Sequence, residues 1–143
     1  MKTRETRREI RNEISSSDRS HLVSRISYLS SMDCLFCKIA SGSIPVERLY
    51  EDDRVLAFPD INPQAPTHVL IIPKQHIGSH AQAVAGDTDL LGHLLWAVGE
   101  VARTKKLDRG YRLVINTGPD GGQTVDHLHL HLLGGRAMHW PPG

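Results

Sequence analysis

Cysteine is scarce in this chain of 143 residues: there are two, Cys34 and Cys37, spaced C-x-x-C. Two cysteines cannot build the multi-bridge framework on which small secreted domains rely, so a reducing compartment is expected, and the cytoplasm before any other. Long apolar runs are missing as well. No segment approaches the ~18 apolar residues of a membrane span, so neither a transmembrane helix nor a membrane partner is expected. Charge of one sign is not in excess: 17 Lys and Arg against 16 Asp and Glu leave +1 with the histidines neutral. That balance argues against a general nucleic-acid or membrane-surface binder. No internal repeat occurs.

What is present is one domain's worth of ordinary globular sequence. The apolar share is 39% and the charged share 23%, which excludes a disordered or fibrous class for the chain as a whole. The charge is unevenly placed. Residues 1–31 carry seven basic side chains against four acids, a net +3, while the remainder is net −2. Residues 1–31 are polar, rich in Arg and Ser, and have little apolar periodicity before Leu22. They read as a basic extension expected to be disordered, with the folded domain spanning 32–143. Arg/Ser-rich starts also occur in organelle transit peptides, but those are poor in acids and this one has four, so organelle targeting ranks second. Met32 stands directly before the dense segment and offers an alternative start.

From Asp33 onward the pattern becomes regular. Val46–Glu51 and Val55–Pro59 flank Asp52-Asp53-Arg54 and predict a β-hairpin. The prolines of Asn62-Pro63-Gln64-Ala65-Pro66 predict a loop. Thr67–Pro73 is almost continuously apolar and reads as a buried central strand. Asp87 or Thr88 can cap a helix running to about Lys106, with Leu91, Leu94, Leu95, Val98, Val101 and Ala102 on one face. That face serves as core or as a twofold seam between copies. Tyr111–Asn116 predicts a strand, Thr117–Gln123 a glycine-rich turn, and His127–Leu133 a last strand. The order of strands, one long helix and strands predicts an α+β fold with an antiparallel sheet.

The chemistry concentrates near the end. Side chains alternate along a strand, so His127, His129 and His131 share one face while Leu128, Leu130 and Leu132 share the other. The leucines fix the register, since a slip of one residue would exchange the two sets. Three imidazoles in a row are a costly way to build a sheet face. They leave three readings open: a metal site, a nucleophile with helpers, or both. Just before them, Gly118-Pro119-Asp120-Gly121-Gly122-Gln123-Thr124 is either a plain turn or a phosphate cradle. In the second case the glycines let backbone N–H groups approach an anion, and Gln123 and Thr124 add donors. A cradle beside imidazoles suggests phosphoryl chemistry by a histidine nucleophile. Cys34 and Cys37 lack a thioredoxin-like context and read better as half of a zinc site.

The run His127-Leu128-His129-Leu130-His131-Leu132-Leu133 resembles the motif of the histidine triad (HIT) family. Further segments resemble its nucleotide-binding, Hint-like branch: Asp60–His68, Ile72–Ile77, Asn116, Gly121-Gly122-Gln123 and the ending Gly134–Gly143. The resemblance covers about residues 33–143. It implies a HIT-like fold with a short N-terminal helix besides the long one, and a homodimer. It implies that His129 is the nucleophile, forming a nucleotidyl-histidine intermediate, with His131 and His68 orienting the phosphate. Asn116, Gly122, Gln123 and Thr124 would contact phosphate or leaving group, Asp60 the ribose hydroxyls, and Ile61 the base. The implied activity is hydrolysis of purine nucleoside 5′-phosphoramidates, adenosine monophosphate joined to an amine. Hydrolysis of dinucleoside polyphosphates, or nucleotide binding with slow turnover, is the alternative. His131 stands where the transferase branch has glutamine, which favours hydrolysis, and Trp140-Pro141-Pro142 favours the Hint-like branch. Thr124 stands where that branch has a serine and Asp126 where it has a bulky residue, two departures on the leaving-group side. The resemblance further implies that Cys34 and Cys37 are joined by His76 and His127 around a structural zinc, with no catalytic cofactor.

Overall fold

The structure, a computed structural model, describes residues 33–143. The expectation of a disordered extension over residues 1–31 lies outside the described residues.

The first helix among the described residues, α1 (Leu35–Ala40), starts at Cys34, whose sulfur takes the N-cap position and accepts the N–H of Cys37 at 3.5 Å. Phe36 and Ile39, three apart, turn inward and are buried. Arg48 then reaches back to the carbonyl of Ile39, and Ile44 N–H bonds Lys38 C=O. This local bonding keeps the first strand, β1 (Tyr50–Glu51), shorter than the expected Val46–Glu51. The hairpin to β2 (Val55–Pro59) is held by the Asp52 carboxylate, which accepts the N–H groups of Arg54 and Val55 at 2.8 and 2.9 Å.

β2 pairs antiparallel with β3 (Thr67–Pro73), and the sheet is completed by β4 (Tyr111–Val114) and β5 (Leu130–Gly134) in the order β1-β2-β3-β5-β4. β3 is therefore central, as its apolar run predicts, and both of its faces are covered. On one side Val55, Ala57, Val69, Ile71, Leu128, Leu130 and Leu132 pack on the long helix α2 (Thr88–Thr104). On the other, Leu56, Phe58, Leu70 and Ile72 pack on Phe36 and Ile39 of α1. Because α1 has only six residues, it covers part of that second face and leaves the rest to the histidines. The result is the α+β antiparallel fold that the sequence predicts.

Three expectations are corrected in detail. The last strand begins at Leu130 rather than His127. The N–H groups of His127 and Leu128 bond Val125 and Ile77 carbonyls instead of a neighbouring strand, although Leu128, Leu130 and Leu132 still share the core face. The glycine-rich turn contains one helical turn, α3 (Gly118–Gly121), with Pro119 in its first turn and Gly122 closing it in the left-handed region at φ 81°. On α2, Asp87 takes the N-cap position, but its carboxylate makes no bond into the helix and accepts the Val84 N–H at 3.0 Å instead. However, Leu95 lies at the rim of the apolar face and is 53% exposed, as is Trp96 beside it.

Leu132 is fully buried in the α2-side cluster and sits in the sheet between β3 and β4. Leu132→Ala is expected to destabilise the fold by about 2–5 kcal/mol, read as a lower urea midpoint with an unchanged slope.

Candidate active site and metal-binding cluster

The triad histidines follow from register. His131 pairs with Leu70 and His68 with Leu133, so His68 and His131 are diagonal neighbours on the same face of β3 and β5. Their rings meet, His68 Nε2 lying 2.9 Å from His131 Nδ1, and the Asp60 carboxylate sits 3.4 Å from the same Nε2. The backbone N–H of Gln64 donates to His68 Nδ1 at 3.0 Å. His68 therefore carries its proton on Nε2 and donates to His131 Nδ1, which leaves His131 with an Nε2–H as a donor. The chain of bonds from Gln64 through His68 to His131 thus fixes one tautomer at each ring.

His129 is set the same way. Its Nδ1 is 2.7 Å from the carbonyl oxygen of His127, an acceptor only, so Nδ1 holds the proton and Nε2 keeps a lone pair. The ring is 4% exposed and packs edge to face on Phe36, with centroids 5.1 Å apart at 85°, and against His131 at 5.0 Å. The site is thus a buried imidazole with a free lone pair beside an imidazole N–H donor and a carboxylate. Such a set can attack an electrophile and receive the charge that develops on it.

Burial and the neighbouring His129 and His68 push His131 down to about 4, with Asp60 opposing. Burial also lowers His68, again against Asp60. Both stay neutral at pH 7, as the hydrogen-bond chain requires. Asp60, His68 and His131 also bring ligand-type atoms within 4.8 Å of one another, as a metal site would. The proton shared between the two rings argues against it, since a metal needs both nitrogens bare.

Two residues away, a second set converges. Cys34 Sγ and Cys37 Sγ lie 3.4 and 3.5 Å from His127 Nδ1, and Cys37 Sγ lies 3.2 Å from His76 Nδ1. A tetrahedral zinc with bonds of about 2.3 Å to sulfur and 2.0 Å to nitrogen spaces its S and N ligands about 3.5 Å apart. His127 Nε2–H donates to Pro73 C=O at 2.8 Å, which leaves Nδ1 bare toward the sulfurs. Burial pushes His127 down to about 4, favouring that bare nitrogen. Burial and the neighbouring Cys34 push Cys37 up to about 12, a thiol that calls for a cation to ionise. All four groups fit a closed structural metal site.

The remaining sequence-predicted residues are placed as follows. Asp60 caps the loop after β2, its carboxylate accepting the N–H of Asn62 at 2.8 Å, and Ile61 is fully exposed on that loop. Asn116 follows β4, and Gly122 and Thr124 are exposed on the segment before the triad. Gln123 is turned to a local task. Its amide oxygen accepts Gly118 N–H, and its nitrogen donates to Gly78 and Val125 carbonyls, so it fixes the glycine loop. Phe36 is the site residue that sequence reasoning missed. Its signal was an apolar residue held between two metal-type cysteines on the buried side of a short helix.

Comparison with known proteins agrees with this geometry. Residues 41–138 match the HIT domain family. An uncharacterized HIT-like protein of Synechococcus elongatus is 57% identical over 113 residues, covering 79% of this chain and 99% of that one. A 14 kDa zinc-binding protein of Zea mays is 54% identical over 111 residues, 76% of this chain and 87% of that one. The crystal structure of a HIT family hydrolase from Legionella pneumophila superposes with a TM-score of 0.76 at 54% identity, covering 78% of this chain and all of the other. A histidine triad nucleotide-binding protein from Candida albicans superposes at 0.66 with 36% identity, covering 76% and 83%. The chain belongs to the HIT family, and its class is that of the family's hydrolases and nucleotide-binding proteins. No helix among the described residues is long and apolar enough to cross a membrane.

Because folding holds His131 neutral, protonation favours the unfolded chain. Stability is fully present above the ordinary histidine range near 6.5 and is lost as pH falls toward about 4. The His131 ring resonances are expected to keep their neutral position until the pH nears 4. A midpoint at or above 6.5 in a proton NMR titration would contradict the assignment.

Proposed function

We propose that this protein hydrolyses purine nucleoside 5′-phosphoramidates through a covalent nucleotidyl-histidine. The observation that carries the reading is the 2.7 Å bond from His129 Nδ1–H to the His127 carbonyl, which leaves Nε2 as the one nucleophilic atom of a buried ring. His129 Nε2 attacks the α-phosphorus and the P–N bond breaks, the amine nitrogen taking a proton from solvent as it leaves. Water then cleaves the P–N bond to His129 and releases the nucleoside monophosphate. His131 Nε2–H donates to a non-bridging phosphoryl oxygen, and His68 holds His131 in the donating tautomer. Asp60 accepts from the ribose hydroxyls, Ile61 lies against the base, and Asn116, Gly122 and Thr124 line the phosphate and leaving-group side. Gln123 acts by holding the loop that carries them.

In the same reading Cys34, Cys37, His76 and His127 bind a structural zinc, which closes the loops around the triad and takes no part in bond breaking. The name of the maize relative and the donor set both support this. No catalytic cofactor is proposed. Two copies pair through the exposed Leu95 and Trp96 of α2 and the edge strand β4, where Tyr111 is exposed.

The test is steady-state hydrolysis of an adenosine 5′-phosphoramidate bearing a fluorescent amine. His129→Ala is expected to lower turnover by at least ~10³-fold while the variant still binds adenosine monophosphate. Binding without turnover in the native protein would replace the hydrolase reading by one of nucleotide binding alone. Metal removal by a chelator is expected to lower Tm by more than about 5 °C, and an unchanged melt would refute the structural zinc.

A further inference from the structure

Cys34 and Cys37 are free, partly exposed, and have Sγ atoms within 4.8 Å of one another and of the His76 and His127 nitrogens. Cys34 and His76 line a surface cleft of about 460 Å³, together with Leu35, Thr124 and Asp126, so a small oxidant reaches the pair from the Cys34 side. The two cysteines stand at the N-cap and third position of one helix. Residues three apart on a helix hold their Cβ atoms about 5–6 Å from each other, and a disulfide needs roughly 3.5–4.5 Å. Closure therefore takes a small inward movement of the N-cap residue.

That movement has a direct route to the nucleophile. His127 faces the sulfurs with Nδ1, and its carbonyl holds His129 Nδ1–H at 2.7 Å. Phe36 lies between the two cysteines in sequence, and its ring meets His127 at 5.9 Å and His129 at 5.1 Å. Drawing the sulfurs together withdraws them from His127 and His76 and shifts Phe36 at once.

We propose that Cys34 and Cys37 form a reversible disulfide under hydroperoxides, and that the bridge disables the His129 site. Each sulfur gives one electron to the O–O bond of hydrogen peroxide, and the new S–S bond replaces the two sulfur–metal or sulfur–hydrogen bonds. The peroxide leaves as two molecules of water, taking two protons from solvent in the metal-bound form or from the thiols in the metal-free form. Any zinc held by the cluster is released with two of its four ligands lost. The disabling half rests on the nucleotidyl-histidine reading; the disulfide half does not.

The test uses the full chain loaded with zinc and titrated with hydrogen peroxide. Expected are a Cys34–Cys37 cross-link in peptide mass spectra and one zinc per chain released to a metallochromic dye. A fall in kcat of about 10²-fold should accompany them, as for a misplaced catalytic group, with reversal by dithiothreitol plus zinc. Amide exchange over residues 127–131 should quicken in parallel. Sulfinic acids or cross-links between chains in place of the internal bridge would overturn the proposal, as would a bridge that leaves kcat and exchange unchanged. The C34S/C37S variant must be insensitive to peroxide in whatever turnover it retains; continued loss there would place the oxidation elsewhere and refute the proposal. Should that variant fail to fold, the native mass and zinc readouts decide. If the native chain shows no turnover, the hydrolase reading fails, while cross-linking and amide exchange still test the switch.

Discussion

The carbonyl of His127 accepts the Nδ1–H of His129, and the side chain of the same residue turns a bare nitrogen to two sulfurs. One residue thereby fixes which nitrogen of the neighbouring imidazole is nucleophilic and ties α1 to the segment that leads into β5. Pro73 completes the arrangement from β3 by taking the His127 Nε2–H. Each ring in the site has one nitrogen committed to a fixed partner, so the reactivity of the other is settled by hydrogen bonding rather than by chance protonation.

The sheet makes this arrangement affordable. Leu128, Leu130 and Leu132 bury the opposite face of the same segment against α2, and their packing resists any slip in register. Apolar burial on one face thus offsets the desolvation of His127 and His129 on the other. No buried side-chain nitrogen or oxygen among the described residues lacks a hydrogen-bond partner. The six-residue α1 covers only part of the site face, which keeps His131 and Asp60 at the edge of the buried region, where a substrate could reach them.

Much of the fold was legible in the residues. Thr67–Pro73 announced a central strand by being apolar on both faces, and the α2 periodicity announced a helix over one side of the sheet. The start of β5 was not legible, because alternation continues through His127 and Leu128 while their N–H groups bond to loops. Gln123 shows the same limit. Its amide has the chemistry to bind phosphate, yet in the folded chain its donors and acceptor are occupied by the backbone of its own loop and Gly78.

By itself the sequence determined the domain's class, the face shared by the three triad histidines, and the inventory of groups able to attack or to bind metal. These follow from local periodicity and side-chain chemistry. Only the tertiary structure decided which nitrogen of each ring carries the proton, because a tautomer depends on partners such as Gln64 and Pro73 that lie far along the chain. It alone brought Cys34 and Cys37 to His76 and His127, across separations of 39 and more residues. It alone set Phe36 against His129, since a contact between a short helix and a distant strand is fixed by the packing of the sheet between them.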